Sequence, residues 1–321
     1  MKNKLLFPII LSFIFSSCSD FSGNEDAVEA SLKPAPVTKT TPTTTRKYYD
    51  LDGIAFGNNT FVAVGDKGTV RYSSDNGSTW DNGTSGKSKQ LEEIAYGDST
   101  FVTVGKSATN LYSSDNGATW TPGETTETNP TYYGVANGDN VFAAVGNVNM
   151  LKSTDNGSTW ATITTGNLRD VAFGNSTFVA CGSDGATYTS DNGSQWTSYA
   201  GTKVTSNLLR GIAFGNNIFV AVGASGTLIK STNNGGTFIV GDSQVSTTLN
   251  SIAYGNGIFL AVGSKTVIAS TDNTGSTFGI KQTAYSFNDV AYGNGVFVAV
   301  GQEEIIYTST DGITWTQVYG E

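Results

Sequence analysis

Ile54-Ala-Phe-Gly57, a short turn, and then Phe61-Val-Ala-Val-Gly65 are the residues whose reading decides how this chain folds. The phrase returns six times. It opens again at Ile94, Val135 (degraded to Val-Ala-Asn-Gly138), Val171, Ile212, Ile252 and Val290, at successive intervals of 40, 41, 36, 41, 40 and 38 residues. The first run ends in a Gly-Asn turn, and Gly255-Asn-Gly257 and Gly293-Asn-Gly295 contain Asn-Gly, the strongest short hairpin signal. A second turn, Asp66-Lys-Gly68, leads into a third strand from Thr69 to Ser73. Ser73-Ser-Asp75-Asn-Gly77-Ser-Thr-Trp80 then turns the chain into a fourth strand beginning near Trp80.

Four short antiparallel strands in about forty residues make one propeller blade. Seven units fill 47–321, so the expectation is all-β: a seven-bladed β-propeller with four-stranded antiparallel blades. A solenoid is the alternative, but it does not use four antiparallel strands per coil, and seven blades close without long exposed edges. The second strand is apolar throughout, as befits a strand covered on both faces. The array starts with a first strand and finishes with a fourth, which leaves open how the ring is sealed; the end blades simply abutting is one answer.

The turn at Ser73 to Trp80 recurs closely at Ser113 to Trp120, Ser153 to Trp160 and Thr189 to Trp196. It drifts at Ser231 to Phe238, Ser270 to Phe278 and Ser309 to Trp315. Asp accepts hydrogen bonds from turn amides, Gly supplies a positive φ, and the aromatic ring packs into the blade. This pattern resembles the Asp-box (BNR) repeat of sialidases, sortilin-type receptor propellers, xyloglucanases and photosystem II assembly factor-like proteins. The resemblance covers almost the whole repeat array, with an Asp-box in each turn between third and fourth strands. It implies structural roles for Asp75, Asp115, Asp155, Asp191, Asn233, Asp272 and Asp311. It also implies that these turns lie on the face opposite the one such families use. A calcium site at Asp75-Asn-Gly77 is not expected, since the further ligands of a calcium loop are missing.

The N-terminus reads as an address. Met1-Lys2-Asn3-Lys4 is a basic head, Leu5 to Phe15 is apolar apart from Pro8 and Ser12, and Ser16-Ser17 precede Cys18. That is the plan of a secretory signal, with an apolar core too short for a stable spanning helix. Phe15-Ser16-Ser17-Cys18 resembles a bacterial lipobox, although Phe15 stands where such signals usually have an aliphatic residue. The resemblance implies removal of 1–17, lipidation of Cys18, and anchorage in the bacterial cell envelope. Residues 18–46, rich in Thr, Ser and Pro, read as a disordered tether.

Composition excludes several functions. The net charge of -9 repels phosphate backbones, so no nucleic acid partner is expected. The chain has no His, which removes His-dependent triads and His-containing metal sites. A sialidase resemblance implies three substrate-binding arginines, a Tyr-Glu nucleophile pair and an Arg-Ile-Pro motif. Only Arg46, Arg71, Arg169 and Arg210 exist, with no Arg-Ile-Pro. A glycosidase needs two carboxylates across a cleft. Asp52, Glu92, Asp170, Asp289, Asp66, Glu303 and Glu304 are the candidates, and the preferred reading makes them solvated turn charges. Cys181 takes the place of Val64 and its equivalents, which makes it a core residue and not a nucleophile.

What remains is binding. Two residues before the Ile or Val of each first strand stand Asp52, Glu92, Tyr133, Arg169, Arg210, Asn250 and Asn288. Their polarity varies where the flanking residues are monotonous, and equivalent positions in a ring should meet around the channel mouth. Arg169 and Arg210, from adjacent blades, are candidates to hold an anionic group, with Asp52 and Glu92 facing them. Tyr132-Tyr133 is the one aromatic pair suited to sugar stacking. The expectation is a monomeric binding or scaffold module, without cofactor or metal, that recognises a protein or glycan; a glycan hydrolase is the alternative.

Overall fold

A computed structural model of the chain describes residues 48–320, apart from 200, 202, 271, 273, 276, 277 and 284. The expected signal 1–17, the expected lipidation site Cys18 and the expected tether 18–46 lie outside the described residues. Within them, seven sheets of four antiparallel strands each form from one continuous stretch of chain, in sequence order. The fold is a seven-bladed β-propeller.

The first blade shows the pattern. Its inner strand is Leu51–Gly57, followed by Thr60–Gly65, Val70–Ser73 and a two-residue outer strand, Asp81–Asn82. Asn58 and Asn59 take φ of 46° and 57°, the left-handed pair a tight hairpin requires. Every residue of Thr60–Gly65 is buried, because one face packs on the preceding blade and the other on the following one. The core is accordingly divided among the interfaces. Val62, Val64 and Val70 of blade 1, for instance, pack with Leu91, Ile94 and Phe101 of blade 2.

The Ile-Ala-Phe-Gly phrase has a steric explanation. A Cβ at Gly57 would be driven into the ring of Tyr96, the aromatic residue of the next inner strand. The same relation passes round the ring, with Asn137 replacing the aromatic in the degraded third copy, until Gly293 meets Phe56. Glycine lets neighbouring inner strands approach, and the aromatic ring fills the space.

The seal is abutment. Leu51, Ile54, Phe61 and Ala63 of blade 1 form one buried cluster with Val298, Val300 and Ile306 of blade 7. Arg71 Nη2 meets Glu304 Oε2 at 2.7 Å across this junction, with side chains only 12% and 2% exposed. Asp289 Oδ2 accepts the Ile54 amide at 2.6 Å.

The turns between third and fourth strands are closed by side-chain hydrogen bonds. Asp75 Oδ1 accepts the Thr79 amide at 2.9 Å, Gly77 has φ of 82°, and Trp80 Nε1 donates to the Gly77 carbonyl at 3.0 Å. These bonds from Thr79, side chain first and then main chain, hold the Asp75 carboxyl below its usual value. A Cβ on Gly117 would crowd Val62, so the turn of blade 2 lies over blade 1. These turns therefore fasten neighbouring blades together.

One residue assignment is corrected. In blade 4 the third strand ends at Ser190, and Asn192 accepts the amides of Ser194 and Gln195 at 2.9 and 3.1 Å. Asp191 is exposed and does not cap the turn. Aligning that copy on Thr189 hides a one-residue deletion. The constant feature is the second residue after the strand-ending Ser, which also gives Asp115, Asp155, Asn233, Asp272 and Asp311.

Candidate functional site

The two faces of the ring are distinct. Asn58 in a first turn hydrogen-bonds Asn116 in the capped turn of the next blade at 2.9 Å, placing both turn types on one face. On the other face Ser85, in the link between blades 1 and 2, donates to the Gly68 carbonyl in a second turn at 2.6 Å. The inner strands begin on this second face, which holds the channel mouth.

Just inside that mouth every inner strand carries a bulge. In blade 1, Leu51 pairs with Gly65 and Gly53 with Val64, so Asp52 is the extra residue. The same shift occurs in the other six blades. A bulge bends its strand and re-aims the side chains beside it. As a result, two successive residues per blade face the channel.

The seven extra residues are those singled out by their variability, from Asp52 round to Asn288. All seven line one cavity of about 220 Å³. Their roles there differ. The Arg169 guanidinium carbon lies 4.0 Å from the centroid of the Tyr133 ring, a cation–π stack that leaves the in-plane N–H donors uncommitted. Among the described residues Arg169 Nε is buried without a hydrogen-bond partner. Burial, and then the like charge of Arg169, lowers the Arg210 guanidinium from its ordinary value. Asn250 and Asn288 spend their amide N–H groups on the main chain of the following blade, at Phe287 O (2.8 Å) and Leu51 O (2.9 Å). Tyr132 is fully buried and offers no stacking surface.

One residue further from the mouth lies a second circle: Gly53, Glu93, Gly134, Asp170, Gly211, Ser251 and Asp289. A Cβ at Gly53 would collide with Glu93, and one at Gly134 with Asp170. Glycines thus make room for their neighbours' carboxylates. Asp170 accepts its own neighbour Val171 N at 2.7 Å and Ile212 N of blade 5 at 2.8 Å. Asp289 accepts Ile54 N and the Ser251 hydroxyl. Burial raises Glu93 well above the usual carboxylate range, and the charges of Asp289 and Asp170 push the same way. Burial also raises Asp170 and Asp289, partly offset by their hydrogen bonds.

This overturns the reading of the carboxylates as solvated turn charges. Asp52, hydrogen-bonded by Gln90 at 2.8 Å, is pushed by burial up to about 7. Burial raises Glu92 too, against the lowering effect of Lys106. Glu304 is 2% exposed and ion-paired. The bulge turns the inner-strand acids towards the channel, where Asp52, Glu92 and Asp170 are half-buried and Asp289 is buried. Only Asp66 and Glu303 stay at exposed or half-buried turn positions. Glu93 and Ser251 were missed; the available signal was the alternation of glycine with polar residues immediately before each Ile or Val. Among the described residues no three acidic or cysteine side chains converge as metal ligands. Cys181 is fully buried, where burial and the charge of Asp170 raise its thiol well above the usual value.

No protein-family profile and no protein of curated function matches the chain. Solved structures do. YCF48 from Cyanidioschyzon merolae superposes with a TM-score of 0.63 at 19% identity, covering 81% of this chain and 95% of that one. YCF48 bound to D1 peptide gives 0.57 at 19% identity, over 71% and 81%. The WD40 propeller domain of Doa1 gives 0.65 at 12% identity, over 84% and 97%. The likeness is one of fold.

Proposed function

We propose that the chain is a non-catalytic binding or scaffold module, held in the bacterial cell envelope by lipid on Cys18, that recognises a protein or glycan through the channel mouth. The observation that carries this reading is the convergence of the seven blade-to-blade variable residues on one cavity, with Arg169 and Arg210 unpaired among the described residues. A polar, solvent-open concavity with uncommitted donors is suited to recognition. The peptide-bound YCF48 structure lends support to a protein ligand over a glycan. So does the lack of an aromatic platform, since Tyr132 is buried and Tyr133 is covered by Arg169. Assignment to the Asp-box family rests on the hydrogen-bonded turns, and the lipid anchor on the sequence before Cys18.

Hydrolysis of a glycan is the second reading, favoured by one observation: an Asp52 raised to about 7 has the protonation of a general acid. Against it, Asp52 is engaged by Gln90, and both oxygens of Asp170 and Asp289 are taken.

The test is capture of partners from envelope extract by the wild-type chain and by Arg169→Ala/Arg210→Ala. Loss of wild-type partners from the double variant is expected, and an unchanged set would remove the mouth as the site. Sugar release from envelope glycans that disappears in Asp52→Asn would establish the hydrolase instead.

A further inference from the structure

The channel mouth carries its charge in two separated pairs. Asp52 and Glu92 come from blades 1 and 2, and Arg169 and Arg210 from blades 4 and 5. In a ring of seven, blade 1 is three steps from blade 4 in one direction and three from blade 5 in the other. Asp52 therefore stands across the channel from the gap between the two arginines. The cavity is polar on both sides.

Among the described residues no direct ion pair joins the two pairs, although the charge of Arg169 reaches Glu92 and acts to lower its carboxyl. The ion pairs among the described residues are Arg71–Glu304, which belongs to the ring seal, and the loose Lys106–Glu92 contact at 3.8 Å. Arg169 Nε is buried without a partner, its guanidinium face is occupied by Tyr133, and the like charge of Arg210 lies next to it. Two adjacent guanidinium groups with free in-plane donors match the bidentate geometry of a carboxylate. Across the channel, the carboxylate oxygens of Asp52 and Glu92 present acceptors suited to an ammonium group, with Gln90 donating to Asp52 and holding it in place. The volume of about 220 Å³ is below the ~300–1,000 Å³ of pockets that take drug-sized ligands, so the occupant is compact.

We propose that the channel mouth binds a compact zwitterion, its carboxylate held by Arg169 and Arg210 and its ammonium by Asp52 and Glu92. This inference rests on the mouth being the binding face and names the chemistry it selects. The zwitterion has two sources: a free amino acid, or a Lys and a Glu side chain presented together by a peptide.

Calorimetric titration of the full chain at a pH above 7, where Asp52 carries its charge, separates them. Unbranched ω-amino acids from glycine to 6-aminohexanoate serve as rulers, with alkyl carboxylates and alkylamines of matched length as half-ligands. A Lys-Glu dipeptide blocked at both ends represents the peptide source. One member of the zwitterion set should bind at least about tenfold more tightly than either of its halves. Arg169→Gln should reduce that binding to the level of the amine alone. Asp52→Asn should abolish the advantage over the carboxylate and leave carboxylate binding intact. The tightest member identifies the source. The proposal is overturned if carboxylates bind as tightly as zwitterions, which would make the mouth a plain anion site, or if nothing in the set binds. The half-ligand comparison is made on the unaltered protein, so it does not depend on either variant folding. If the zwitterions fail while partner capture still depends on the two arginines, only the ligand class falls; if both fail, the binding face falls too.

Discussion

Asp289 reaches out of blade 7 to accept the main-chain N–H of Ile54 in blade 1 at 2.6 Å. The bond crosses the junction where the two ends of the array meet, and Asp289 is 6% exposed. Asp289→Ala leaves the Ile54 amide and the Ser251 hydroxyl without their acceptor. Each buried group left unsatisfied costs about 1–3 kcal/mol. A urea titration should show a clear fall in midpoint, with Asp289→Asn, which keeps one acceptor oxygen, falling less. A midpoint unchanged in the alanine variant would remove this bond from the seal.

The carboxylates impose a pH dependence whose sign is fixed. Asp52 is about 7 in the folded chain against ~3.9 for an unperturbed Asp, so the native state binds the proton more tightly than the unfolded one. Its contribution is complete below the unfolded value and is lost as pH rises through about 7. Glu93, Asp170 and Asp289 are raised as well and act in the same direction. Asp75 and Asp311 are lowered, Asp311 to about 2 by the Thr314 and Ile313 amides. Their contribution is present above ~3.9 and is lost as pH falls through the lowered values. Unfolding midpoints should therefore peak near pH ~4–5 and decline towards 8. Asp52→Asn should flatten the decline; a slope unchanged in that variant would exclude Asp52 as a contributor.

Arg71 and Glu304 should behave unlike the exposed pair. Removing one partner of a buried ion pair strands the other charge and costs about 3–5 kcal/mol. Glu304→Ala should approach that loss, measured by denaturant unfolding. Lys106→Ala, whose ammonium is half exposed and 3.8 Å from Glu92, should change stability by less than ~1 kcal/mol. Equal losses in the two variants would contradict the assignment of Arg71–Glu304 to the seal.

The corrected turn of blade 4 offers a paired comparison. Asn192→Ala removes the acceptor for two turn amides and should cost about 1 kcal/mol, as capping residues do. Asp191→Ala, at an exposed position, should stay within ~0.5 kcal/mol of the wild type. The reverse order in thermal unfolding would restore the cap to Asp191.

The repeat period, the hairpin turns and the apolar second strands were enough to read the number of blades and their strands, since these depend on local pattern. The seven cavity residues were legible for a related reason: equivalent positions in a closed ring must meet. The bulge was not legible, because it arises from pairing and leaves no local mark in Leu51-Asp52-Gly53. Without it only one residue per blade would be expected in the channel, so Glu93 and Ser251 were overlooked and the burial of Asp170 was misread. The seal was equally hidden. Arg71 and Glu304 are 233 residues apart, and nothing local to either names the other.

The second circle of the channel has a consequence of parity. Glycine and a larger residue alternate from Gly53 through Gly211, each glycine accommodating the side chain beside it. Seven is odd, so strict alternation cannot close on itself, and somewhere either two glycines or two larger residues must stand side by side. Two larger residues do so at blades 6 and 7, where the small Ser251 donates its hydroxyl to Asp289 and turns a steric conflict into a hydrogen bond. A ring with one blade more or fewer would have no such defect to accommodate, and the Ser251–Asp289 contact is where this circle records that its number is odd.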